Sequence, residues 1–454
     1  MRPILFPLLL LIGLQAEAQS PLDGYIRQAM ESNIALKQQN LSYQKSLAAL
    51  EEARALFFPK VSIEARYSRA SGGRTIDIPV GDLLNPVYDN LNRINEITSP
   101  GAAAYPQIDN SRTYFLRSSE HETALRLAFP IFNSAILNNH RIQQDLSAAE
   151  QLSVEVYKRE LVKEVKSAYY NYGKAVQAVL LFENTLLLVN ENLRTTESLH
   201  KYDKVTVDVV YAAEVEVKRV EQQLAEAQRD AANAHAYFNF LLNRSFEEPV
   251  TLEASETLMK QVPLASVNEV IPQAQHRREE LRQLDRYLSA SASSVRLSKG
   301  ENLPQLNLVA DYGFQGTGYS FTSEDDYMIG SVVMSWPLFN KPTSAKVQQA
   351  RIERQILSER KTETSRMIGL QIINAYHDLQ AASKSIELSQ KEVTSANKAY
   401  RLVEKKFRQG QANLVELTNA RTQKTNAEFG LIINQYDYLA KAATYERAAG
   451  SYNL

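Results

Sequence analysis

From Asn133 to Lys201, and again from Asn340 to Arg408, the chain meets no strong helix breaker: its one proline there is Pro342, near a start, and its internal glycines are Gly173 and Gly369. At 1.5 Å per residue each stretch reaches about 100 Å as a helix. In the first, Leu161, Val165, Ala168, Tyr172, Ala175, Val179, Phe182, Leu186, Val189 and Leu193 alternate spacings of four and three, which is a heptad seam. In the second, Ile368, Ile372, Ala375, Leu379, Ala382, Ile386, Ser389, Val393, Ala396 and Tyr400 repeat it with only Ser389 polar. Helices this long cannot close a compact core, so they need antiparallel neighbours, which short turns at 202–207 and 407–411 supply. The expected fold is mainly α, an elongated bundle or tube of antiparallel coiled-coil helices.

The chain also matches itself. Ile26, Ala29, Leu36, Pro59 and Tyr67 fall on Ile271, Ala274, Leu281, Pro304 and Tyr312 at a constant offset of 245 residues. Further on, Ala128 to Asn133 meets Ser335 to Asn340 at an offset of 207, so the first copy carries 38 extra residues between its prolines. Near the next turn Tyr202 and Phe407 align at 205, which implies a two-residue indel. A period this long indicates a duplicated half-domain rather than a solenoid. The expected division is a signal peptide over 1–18, a first repeat over 19–244, a linker over 245–265 and a second repeat over 266–454.

Between the helices lie four segments of period two, expected at about 60–69, 120–131, 304–313 and 326–337. Val61, Ile63, Ala65 and Tyr67 oppose Ser62, Glu64, Arg66 and Ser68, and Leu125, Leu127 and Phe129 oppose Glu122 and Arg126. The fourth, Tyr327 to Trp336, has apolar residues on both faces. Their helix-side ends hold Phe57, Phe58, Phe129, Phe132, Trp336 and Phe339, the clustering of interface aromatics beside a lipid-facing band. An ordinary sheet packed on helices is the alternative. The segment Arg69 to Ser119 is expected to be a long loop rich in Pro, Gly, Asn and Asp, against a short polar one over Gly313 to Glu324. Four strands cannot close a membrane barrel, and open edges are excluded from hydrocarbon, so copies must share one.

The amino terminus fixes the route. Arg2 precedes an apolar run from Ile4 to Leu14 ending in Ala16-Glu17-Ala18, the pattern of an export signal and too short for a spanning helix. The sequence contains 0 cysteines, which excludes disulfides, thiolate metal sites and a lipidated N-terminal Cys. Its 51 basic and 52 acidic residues almost cancel, so charge does not suggest a nucleic-acid partner. His121, His140, His200, His235, His276 and His377 are scattered without ligand spacing, and no phosphate loop occurs. No catalytic residue, metal or cofactor is expected, and an exported coiled coil or adhesin without a pore is the rival reading.

In Leu22-Asp23-Gly24-Tyr25 with Asn33 and Leu36, in Phe58-Pro59, in Phe129-Pro130-Ile131-Phe132 and Trp336-Pro337-Leu338-Phe339, and in Phe407-Arg408-Gln409-Gly410-Gln411, the chain resembles the TolC-like outer-membrane efflux family. That resemblance implies a homotrimer with a shared transmembrane β-barrel among outer-membrane lipids and an α-helical barrel in the periplasm. It also implies a periplasmic adaptor and an inner-membrane transporter of RND or ABC type. The family places its pore constriction just after the turn glycine, here Gly410, which puts Glu416 and Asn419 where better-known members carry pore-lining aspartates. Ala412 replaces a basic gating residue, Val205 the first-copy turn glycine, and Tyr211 another acidic position. Closure by packing and hydrogen bonds, with a ring of three Glu416 carboxylates in a trimer, is therefore expected in place of a charged latch. A surface carboxylate at a helix start is the plainer reading of Glu416.

Overall fold

The computed structural model describes residues 20–253, 258–259 and 266–452, so the signal peptide expected over 1–18 lies outside the described residues and the linker only partly within them. In chain order the helices and strands are α1 (Pro21–Ser32), α2 (Ile34–Ala55), β1 (Lys60–Arg69), β2 (Thr75–Ile78), α3 (Val80–Thr98), β3 (Ser111–Tyr114) and β4 (Ser119–Phe132). They continue as α4 (Ser134–Lys201), α5 (Val207–Leu241), α6 (Val267–Arg277), α7 (Glu279–Gly300), β5 (Gln305–Gly316), β6 (Asp326–Ser335), α8 (Lys341–Arg408) and α9 (Leu414–Ala449). The chain divides into two compact units, one of residues 1–50, 142–292 and 350–454, the other of 51–141 and 293–349.

The duplication is visible element by element. Helices α2 and α7 each have 22 residues, and α4 and α8 each have 68. Both long helices start and stop at an offset of 207, and so do the starts of α5 and α9. The two-residue indel expected at the turn is therefore absent. The backbone explains why: the left-handed residue that ends the long helix is Asp203 (φ 56°) in the first copy and Gly410 (φ 72°) in the second. Asp203, rather than Val205, is thus the counterpart of the turn glycine, and aspartate is among the few residues that tolerate this conformation.

In the helical unit the core follows the seams. Leu161, Val165, Ala168 and Phe238 pack with Ile368, Ile372, Leu379, Leu439 and Ala443, mixing both copies in one cluster. Each fully buried Leu or Ile contributes about 1.5–3 kcal/mol. Small seam residues let the helices close up. At Gly173 a Cβ would stand 2.7 Å from the Tyr436 ring, so that crossing requires glycine. Ring packing of Tyr25 against Phe238, 5.2 Å between centroids and nearly perpendicular, anchors α1 to α5.

In the other unit β1, β4, β5 and β6 form one antiparallel sheet in the order β1-β4-β5-β6. Each copy contributes a strand pair, and the copies join through β4 and β5. The register settles the ambiguous fourth strand. Tyr312 lies opposite Met328 and Leu308 opposite Val332, so Met328, Val332 and Met334 share the face of Val61, Ile63, Leu125 and Leu127. Residues 70–118, expected to be loop, instead build α3 and a two-stranded β2–β3 sheet. Pro86 and the asparagines at 85, 90, 92 and 95 have low helix propensity and mask the α3 signal.

Candidate functional site

The sheet separates an apolar face from a charged one. On the charged face the Arg126 guanidinium donates to both Asp311 carboxylate oxygens, at 2.8 and 2.9 Å, and to Glu64 at 2.7 Å. Arg66 donates to Glu122 at 2.7 Å, and the Tyr327 hydroxyl donates to the other Glu122 oxygen at 2.9 Å. These two rows link all four strands crosswise. Opposite charges directly across a strand pair support the register, and planar Arg–carboxylate forks fix it most firmly. Among the described residues nothing covers the apolar face: Ile63 is 76% exposed, Met328 80% and Val332 63%. A bare apolar face backed by a charged one suits a wall between hydrocarbon and water. The outer edges, β1 and β6, have no strand neighbour among the described residues.

At the turn ends of the helical unit, Asn413 caps α9 by accepting the Glu416 N–H at 2.9 Å. Glu416 and Asn419 are both exposed on the first turns of α9, while the following residues Leu417 and Ala420 are buried in a cluster with Tyr400. Backbone spacing therefore puts Glu416 and Asn419 on one solvent-facing stripe beyond Gly410. Tyr211, on α5, is 60% exposed, so the four residues Gly410, Glu416, Asn419 and Tyr211 form no hydrogen-bonded cluster among themselves within the described contacts. The first-copy turn is closed differently, through His200, whose Nδ1 lies 3.0 Å from the Val205 carbonyl oxygen.

Sequence reasoning missed one contact here. Arg421 on α9, 3% exposed, pairs with Glu216 on α5, and Arg219 approaches the other Glu216 oxygen. A buried carboxylate clamped by two guanidiniums thus joins the returning helices of the two copies, so packing and hydrogen bonds are not alone near this end. The available signal was weak: Glu216 adjoins the seam residue Val217, and Arg421 lies one step past Ala420. Deeper in the same unit, the Glu280 carboxyl accepts from Arg278 Nε (2.9 Å) and Nη2 (2.8 Å) and from Arg447 Nη2 (2.7 Å). Burial alone would raise its pKa, but these guanidiniums outweigh it and hold the carboxyl at about 2.

Among the described residues no group of three or more His, Cys, Asp or Glu could hold a metal, and no helix is long and apolar enough to cross a membrane. Comparison with known proteins supplies the context for a membrane wall made of strands. The profile of the outer membrane efflux protein family matches residues 270–451, the second copy. Outer membrane protein TolC of Escherichia coli K12 is 20% identical over 451 residues, covering 96% of this chain and 83% of TolC. The outer-membrane channel OprN superposes with a TM-score of 0.77 at 17% identity, over 95% of this chain and 90% of OprN. The open state of the Neisseria gonorrhoeae MtrE outer membrane channel gives 0.74 at 17% identity, over 95% and 89%. Duplicated strand pairs, paired 68-residue helices and these likenesses agree: the chain is similar to the TolC-like outer-membrane efflux proteins, and its second copy carries the match to that family's profile.

Proposed function

We infer that the protein is the outer-membrane exit duct of an efflux or type I secretion system, passing substrates from the periplasm or a pump to the exterior. The observation that carries this is the four-stranded sheet, apolar and uncovered on one face, charged and cross-linked on the other, with both edges open. Such a sheet is stable in a bilayer only when further copies complete it. Three copies supply twelve strands, enough for a barrel, and the charged rows then face its water-filled interior. The resemblance to the TolC-like family implies a trimer that works with an adaptor and an inner-membrane pump. For this chain the pump is an RND or ABC transporter joined through a periplasmic adaptor.

The constriction belongs at the helix ends beyond Gly410. Three copies of Glu416 make a carboxylate ring, with Asn419 one turn further and Tyr211 lining the neighbouring helix. Such a ring concentrates cations by its field. Two measurements test this reading together. Light scattering of the detergent-solubilised protein should give a trimer, and in planar bilayers Glu416→Gln should lower cation selectivity with little change in single-channel stability. A stable monomer would overturn the duct, whereas unchanged selectivity would return Glu416 to a surface carboxylate at a helix start and leave the duct standing.

A further inference from the structure

Helix α3 is built the wrong way round for a loop helix lying on its own domain. Gly81, Asn85, Tyr88, Asn92 and Asn95 recur at spacings of four and three and make the face turned toward its own chain. Asn85 pairs with both backbone groups of Ile108, donating to its carbonyl at 3.0 Å and accepting its N–H at 2.9 Å. Asn92 does the same with Tyr105, at 3.1 and 2.7 Å. Asn110 donates to Asp82 at 3.0 Å, Gln107 donates to Asp89 at 2.9 Å, and the Tyr88 and Tyr105 rings stack at 5.4 Å. A Cβ at Gly81 would collide with the Ile108 carbonyl oxygen, so this close approach requires glycine. The polar face of α3 is therefore consumed by residues 105–110 of its own chain.

What is left outside is apolar. Leu84, Val87, Leu91 and Ile94 follow a three-four-three spacing, flanked by Leu83 and Ile97, with exposures of 36%, 50%, 38%, 53%, 68% and 77%. A seam of that period wants another helix of the same kind. We propose that the apolar stripe of α3 packs against α3 of neighbouring copies, forming a helical cap over the outer mouth of the barrel. This rests on the duct reading above, because only copies sharing one barrel bring their α3 helices together. Two features of the chain select this occupant. The helix sits between β1 and β4, at the Arg69 and Ser119 ends of the strands, while α2 and α4 adjoin the opposite ends at Lys60 and Phe132; every copy therefore presents it at the same rim. Its charged residues are Asp82, Asp89, Arg93 and Glu96, an acidic excess, whereas helices that lie in a membrane surface carry Lys and Arg on their polar side. The second copy has no counterpart, since its strands β5 and β6 are joined by residues 317–325 alone.

The absence of cysteine makes the test clean. Single variants Leu91→Cys, Ile94→Cys and, as an independent position, Val87→Cys would be exposed to a mild oxidant on intact cells. The expected result is a disulfide-linked dimer from each, with one chain of every trimer left unlinked, while Asp89→Cys and Glu96→Cys stay monomeric and take up a membrane-impermeant maleimide. Rapid maleimide labelling of Leu91→Cys without linking would overturn the cap. Labelling of Leu91→Cys from a lipid-phase probe would overturn it in favour of the bilayer, and protection from both reagents without linking would overturn it in favour of a foreign protein. Light scattering on the same variants separates the two levels: a trimer without the link sinks only the cap, and a monomer sinks the duct beneath it.

Discussion

At the break between α1 and α2 the chain places Asn33, and at the matching break between α6 and α7 it places Arg278. Both perform one backbone task. Asn33 Nδ2 donates to the Leu241 carbonyl at 2.9 Å, and Arg278 Nη1 donates to the Ala448 carbonyl at 3.1 Å, so each ties off the end of its copy's returning helix. The chemistry differs. A neutral amide needs nothing further, and Asn33 uses its oxygen to accept the Leu36 N–H and start α2. A buried guanidinium needs counter-charge, supplied by Glu280, which Arg447 also grips. The position equivalent to Glu280 in the first copy is Ala35. Duplication has thus kept the hydrogen-bonding demand of a helix end while allowing one copy to meet it neutrally and the other ionically.

This contrast can be broken at three strengths. The largest effect belongs to the pair that joins the copies: Glu216→Ala leaves the buried Arg421 guanidinium without its carboxylate and should cost about 3–5 kcal/mol in chemical unfolding, whereas Arg421→Ala, which leaves Glu216 its Arg219 partner, should cost less. Equal costs for the two variants would mean that Arg219 contributes nothing to the clamp. Next comes acid. Because the folded-state Glu280 carboxyl lies at about 2 against an ordinary 4.5, its contribution is complete above 4.5 and disappears as pH falls toward 2. That contribution is on the order of 3 kcal/mol. Glu280→Gln should flatten the stability profile across that window, whereas Asn33→Asp should not reproduce the wild-type slope. The smallest effect is at the turn ends. Asn413 accepts the Glu416 N–H, while Thr206, which begins α5, makes no side-chain cap bond. Asn413→Ala should cost about 1 kcal/mol and speed hydrogen exchange in the first turn of α9. Thr206→Ala should leave α5 unchanged, and equal effects would erase the difference between the turns.

Much of the architecture was legible because it rests on local periodicity. Long helices follow from seams such as Leu161 to Leu193, and strands from alternation such as Val61 to Tyr67, patterns imposed by residues a few positions apart. The candidate lining was legible only as positions: Glu416 and Asn419 share an exposed stripe, but nothing local shows what they face. The Glu216–Arg421 pair was barely legible, since its members are distant in the chain and each reads alone as a surface charge. The helix α3 was hidden for another reason, its asparagines being poor helix formers until residues 105–110 occupy their amides.

By itself, then, the sequence determined the duplication, the element types outside residues 70–118 and the two-faced strands, because helix and strand periods are written by neighbouring residues. Tertiary structure alone decided the constant offset of 207 through the turns, since a left-handed residue is identified by its backbone angle and Asp203 carries no glycine signature. It alone decided which face of β6 is apolar, through pairing with β5. It also decided which charges are buried, because burial depends on what a distant helix brings alongside, and no local pattern records that.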